Sequence, residues 1–142
     1  MYEHVLVPTD GSDHANRAVE HAVAIASRFD ATLHGLYVVE TRTAYDNAIV
    51  DPEEVKQTLR EEGEAALAAL RDRATSAGLD VETALRKGAP PAEIVAYARE
   101  HGVDLVVMGS RGRSSFKERL LGSATEALLQ AEDLPVLVVG RE

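Results

Sequence analysis

The stretch Leu105-Val106-Val107-Met108-Gly109-Ser110-Arg111-Gly112-Arg113-Ser114-Ser115 decides the fold. Four apolar residues without a polar interruption suit a strand buried on both faces, as parallel sheets require. They run directly into a turn rich in glycine, serine and arginine. In doubly wound α/β sheets, ligands sit beyond the carboxyl ends of the strands, where the strand order reverses.

Working outward, the rest of the chain alternates strand and helix in the same way. His4-Val5-Leu6-Val7, ending at Pro8, reads as the first strand. Ser12 or Asp13 is then placed to cap a helix. That helix carries Ala15, Ala18, Val19, Ala22, Ile25, Ala26 and Phe29 on one face. A second strand runs from Thr32 to Val39, and residues 40–51 read as a polar loop. Pro52 opens a long helix with the stripe Val55, Leu59, Ala66, Leu67, Leu70, Ala74 and Ala77, and Gly78 sits at its C-terminal cap position. The strand Val81 to Arg86 alternates apolar and polar residues, which suits a sheet edge. Pro90-Pro91 starts a helix with Ile94, Val95 and Ala98 inward, and Gly102 ends it. After the 105–108 strand, a last helix is expected to end near Glu132, and Val136-Leu137-Val138-Val139 closes the pattern.

Five strands and four helices in β-α-β order predict a three-layer α/β/α fold. Its core is a doubly wound, Rossmann-like, five-stranded parallel sheet of order 3-2-1-4-5, with right-handed crossovers. A single domain spanning 1–142 is expected, since 142 residues suffice for one core.

Composition narrows the function classes. The net charge of -9 argues against a general nucleic-acid binder. Cysteine is absent, which excludes disulfides and thiolate chemistry. No apolar run approaches the ~20 residues that cross a bilayer, and the N-terminus lacks a signal-peptide layout. A cytoplasmic protein with no membrane association is expected. Only Lys56, Lys87 and Lys117 are lysines. An acidic, lysine-poor surface suits a salt-rich cytoplasm, and equally an ordinary acidic protein from a GC-rich genome.

Two segments must line the crevice between the first and fourth strands: Pro8-Thr9-Asp10-Gly11-Ser12 and, after Met108, residues 109–115. From 111 to 119, Arg111, Arg113, Lys117 and Arg119 stand against only Glu118, a local charge of +3 (four cations less one anion) in a chain of -9. Glycines admit backbone N–H groups to an anion, and serines add donors. Ser115 with Glu118 and Ser123 with Glu126 both match a capping box. Gly122-Ser123 is the favoured start of the last helix, whose N-terminus would face the same anion. On residue types alone two readings stand, a polyphosphate cradle or an ordinary serine-rich turn. Neither a Walker A loop nor a G-x-G-x-x-G fingerprint is present.

Gly109, two residues, Gly112, nine residues, then Gly122-Ser123 resembles the ATP-binding signature of the universal stress protein family, G-2x-G-9x-G-[S/T]. The resemblance spans the chain. Val5-Leu6-Val7-Pro8-Thr9-Asp10-Gly11-Ser12 is similar to the family's first strand and turn. Gly88 before Pro90-Pro91 and Ile94 is similar to its third strand–helix junction, and Leu134-Pro135-Val136-Leu137-Val138-Val139 to its final strand. The resemblance implies ATP and Mg2+ as ligands. It puts Asp10 near the ribose or the metal ion and implies backbone contacts from Val38 to adenine. Gly109, Ser110, Arg111, Gly112, Arg113, Ser114 and Ser115 would wrap the phosphates, with Pro8, Thr9 and Met108 beside them and Gly122 and Ser123 completing the cradle.

Other constellations carry less. Asp10 also reads as a turn residue capping the helix. The five histidines, His4, His14, His21, His34 and His101, are scattered and read as surface or half-buried, without a metal motif. No nucleophile elbow or poised carboxylate pair marks catalysis. A receiver-domain reading fails for want of paired acids after the first strand. An ATP-pyrophosphatase reading fails because Thr9-Asp10-Gly11-Ser12-Asp13 is a poor glycine-serine loop. An ATP-binding stress or signalling module is therefore expected, with a slow ATPase or nucleotidyl transferase as the alternative. The apolar edge Val136, Leu137, Val138 and Val139 invites pairing with a second copy; the resemblance implies the same homodimer.

Overall fold

The structure is a computed structural model; it describes residues 1–40, 52–110, 123–131 and 133–140, without the side chains of Pro52, Val55, Ser123 and Ala124. Within these residues the chain runs β1 (His4–Pro8), α1 (Asp13–Phe29), β2 (Thr32–Val39), α2 (Pro52–Ser76), β3 (Val81–Lys87), α3 (Pro90–Glu100), β4 (Leu105–Gly109), α4 (Ser123–Leu129) and β5 (Val136–Val139). The strands form one parallel sheet of order β3-β2-β1-β4-β5. This is the expected 3-2-1-4-5 order, with β3 and β5 at the edges.

The two-residue period of a strand divides the core between the two faces. Val5, Val7, Leu33, Leu105 and Val107 point to one face, where α1 and α2 cover them through Val19, Ala22, Leu70 and Ala74. Leu6, Leu36, Val106 and Met108 point to the other, under Ile94 and Tyr97 of α3 and Leu128 of α4. A fully buried Leu or Val contributes about 1.5–3 kcal/mol relative to exposure, so these central strands dominate the stability.

Local sequence explains the ends of the elements. Ser12 caps α1, its Oγ accepting from the Ala15 N–H at 3.2 Å. Asp30 ends the helix in the left-handed region and donates its N–H to the Ala26 carbonyl. Alanines at 15, 18, 22 and 26 make the buried face shallow and let α1 lie close to the sheet. On α2, Leu70 lies directly over Gly35, where a Cβ would come within 2.8 Å of the leucine methyls. Glycine in the strand beneath that helix leaves the space that the Leu70 side chain fills.

Four sequence expectations need correction. Phe29 is 44% exposed and packs edge-on against Tyr2, because the last turn of α1 has passed the end of the sheet. Ala77 is exposed, since α2 stops at Ser76. The last helix ends at Leu129 and not near Glu132; Gln130 and Ala131 turn tightly back onto the carbonyls of Ala127 and Leu128. Tyr97 joins Ile94 and Ala98 on the buried face of α3, while Val95 is only half-buried.

Candidate functional site

The reversal of strand order falls between β1 and β4, which pair through Val5 with Leu105 and Leu6 with Val106. Pro8, Thr9 and Asp10 therefore leave one wall of the crevice, and Met108, Gly109 and Ser110 leave the other. Ser110 continues the sheet by one bond, donating its N–H to the Val139 carbonyl at 2.9 Å.

The β1–α1 turn is held by its own side chains. Thr9 is buried, and its N–H donates to the Leu36 carbonyl at 2.8 Å. Its Oγ1 accepts from the Gly11 N–H at 3.1 Å, and Asp10 Oδ1 accepts from the Ser12 N–H at 2.9 Å. Gly11 has φ 79, which glycine adopts without strain. Asp10 therefore braces the turn as expected, but the helix cap is Ser12, because the Asp10 carboxylate bonds the Ser12 N–H and not a helix N–H.

Gly109 does structural work that its place in the loop motif does not suggest. A Cβ there would lie 2.8 Å from the His14 carbonyl oxygen. Glycine at this position lets the amino end of α1 approach the carboxyl end of β4. The carbonyl of Gly109 in turn accepts from Thr125 Oγ1 on α4 at 3.0 Å, and Thr125 is 2% exposed. Sequence reading missed Thr125; its signal was a polar residue at i and Leu128 at i+3 on one buried helix face.

Val38 is placed by register. Thr9 N–H donates to Leu36 O, so the Leu36 peptide groups face β1; Gly88 N–H donates to Val39 O, so those of Val39 face β3. The two-residue period then turns the N–H and C=O of Val38 toward the β1 side. Since Pro8 pairs with Leu36, β1 has ended there, and Val38 presents its peptide groups beyond it.

Of the remaining expected site residues, Arg111, Gly112, Arg113, Ser114, Ser115 and Gly122 lie outside the described residues, and Ser123 is described only as the first residue of α4. Among the described residues no group of three His, Asp or Glu side chains could hold a metal ion. None of their helices is long and apolar enough to cross a membrane.

Comparison with known proteins agrees with this architecture. Residues 1–140 match the model of the universal stress protein family. The chain is 36% identical over 140 residues to universal stress protein MJ0531 of Methanocaldococcus jannaschii, covering 98% of this chain and 82% of that one. It is 35% identical over 147 residues to universal stress protein YxiE of Bacillus subtilis, covering 98% and 99%. Among solved structures, MJ0577 of Methanocaldococcus jannaschii superposes with a TM-score of 0.88 at 34% identity, covering 100% of this chain and 98% of that one. A universal stress protein in complex with cAMP superposes with a TM-score of 0.71 at 33% identity, covering 98% and 97%.

Proposed function

This chain belongs to the universal stress protein family, and from that premise we propose that it is an ATP-binding member, a dimeric nucleotide-binding module of stress signalling in the cytoplasm. The observation that carries the reading is the crevice at the strand reversal, with the Val38 peptide groups turned toward the side that β1 has vacated. A donor and an acceptor two residues beyond the end of a neighbouring strand suit the edge of a purine. The related protein in complex with cAMP supports an adenine nucleotide as the ligand class.

The proposed phosphate cradle comprises Gly109, Ser110, Arg111, Gly112, Arg113, Ser114, Ser115, Gly122 and Ser123, with Pro8, Thr9 and Met108 at its base. The charge of the 111–119 segment, +3 in a chain of -9, favours a polyphosphate over a nucleoside. Mg2+ commonly binds through one or two carboxylates together with substrate phosphates. Asp10, at the crevice mouth, is the carboxylate offered. The ion would neutralise phosphate charge.

β5 is a four-residue, wholly apolar edge strand with Leu137 37% exposed. A second copy paired along Val136 to Val139 would satisfy its open backbone groups.

Calorimetric titration of Mg-ATP into nucleotide-free protein tests the reading, beside Gly122→Val, whose side chain would obstruct the cradle. Micromolar binding by the wild type, lost in the variant and not competed by GTP, is expected. Absence of binding by folded wild-type protein would refute it.

A further inference from the structure

Three of the histidines that look scattered in sequence converge at the amino ends of the strands, the opposite end of the sheet from the crevice. His34, on β2, is 1% exposed, so it is buried and not the surface or half-buried residue expected from sequence. Its Nε2 lies 3.0 Å from Nδ1 of His4 on β1, and its Nδ1 lies 2.8 Å from the Tyr97 hydroxyl on α3. Glu82 of β3 approaches the same Nδ1 at 3.5 Å. His101, just past α3, stacks on Tyr97 with ring centroids 3.9 Å apart, and its Nδ1 lies 3.0 Å from the Tyr97 carbonyl oxygen. The His101 and His34 rings are 5.7 Å apart. Arg86 of β3 lies 5.0 Å from the Tyr97 ring centroid and pairs with Glu93 and Glu100 of α3.

We propose that His4, His34, Tyr97 and His101 form a proton-operated latch, which holds α3 on the sheet at neutral pH and loosens it in mildly acidic conditions. Neutral imidazole has one donor and one acceptor nitrogen, and each nitrogen of His34 has a partner in place. A protonated His34 would instead be a buried cation with two further histidines beside it.

The groups facing His34 decide the sign. Burial first, and then the charges of His4 and His101, hold His34 below the usual histidine value; Glu82 opposes them. The Glu82 side chain is 61% exposed, so water screens much of that opposition. Because the folded-state value is depressed, the unfolded chain binds protons more readily. The stabilisation is fully present above about pH 6.5, the ordinary histidine value. It is lost as pH falls from there through the lower folded-state value. Tyr97 transmits the change, since its hydroxyl contacts His34 and its ring packs in the α3 core cluster.

The test follows the histidine ring resonances and the α3 backbone amides of the full chain by NMR from pH 8 to pH 5. His34 is expected to titrate with a midpoint below that of a peptide histidine. Protection of the Ile94–Ala98 amides, corrected for intrinsic exchange, is expected to fall over the same range, by up to tenfold per pH unit. His101→Asn, at an exposed position, should move the His34 midpoint upward and flatten the loss of protection. A His34 midpoint at or above the peptide value, or α3 protection that does not follow His34, would overturn the latch. This inference does not depend on nucleotide binding.

Discussion

The Thr125 hydroxyl donates to the Gly109 carbonyl at 3.0 Å, inside a buried contact between α4 and the end of β4. These two residues lie on either side of residues 110–122, so the bond fixes the distance between the start of the glycine motif and the helix that follows it.

Thr125→Val keeps the shape and removes the donor. A buried carbonyl left without that partner costs about 1–3 kcal/mol. Urea unfolding should show a loss in that range, with Thr125→Ser recovering most of it. Equal stability of Thr125→Val and wild type would mean that another donor reaches Gly109.

Gly109→Ala tests the close approach of β4 to α1. Its methyl would lie 2.8 Å from the His14 carbonyl oxygen, a backbone atom that moves only with the helix. Overpacking of this kind costs about 1–3 kcal/mol. A lower unfolding midpoint is expected, and an unchanged one would show that α1 shifts freely.

Tyr97→Phe removes the hydroxyl 2.8 Å from His34 Nδ1 and leaves the ring in the core cluster with Ile94 and Leu128. Stability at pH 7.5 should fall by about 1–3 kcal/mol, since a buried imidazole nitrogen loses its partner. Chemical denaturation at pH 7.5 and pH 5.5 checks this. If the hydroxyl belongs to the latch, the deficit of the variant will be smaller at the acidic pH, where the wild type has itself loosened.

Leu137→Glu places a charge on the exposed side of β5 without disturbing the buried Val139. Light scattering should give about twice the 15.3 kDa chain mass for the wild type and a single chain for the variant. A wild type of one chain's mass would remove the edge-pairing reading.

The order of elements and the sheet topology were legible because each strand is a short apolar run and each helix repeats its apolar residues at helical spacing. The edge position of β3 could be read from the polar residues Glu82, Thr83 and Arg86 between its apolar ones. Element ends were less legible. Ala77 continues the α2 stripe in sequence, yet Gly78 at φ 77 and the Leu79 N–H bonding back to Ala74 close the helix before it. Phe29 fits the α1 stripe, but the stripe outruns the sheet that would bury it.

By itself the sequence determined the layers, the strand order and the carboxyl end at which a crevice must open, because hydrophobic periodicity and crossover handedness leave few other solutions. Tertiary structure alone decided which way the Val38 peptide groups face and what surrounds Gly109, Thr125 and His34. Each placement depends on a neighbour distant in the chain: the end of β1 beside Val38, the amino end of α1 over Gly109, β4 beneath Thr125, and His4 and Tyr97 around His34. Register and helix packing create those contacts, and no local pattern encodes a distance between residues thirty or sixty positions apart.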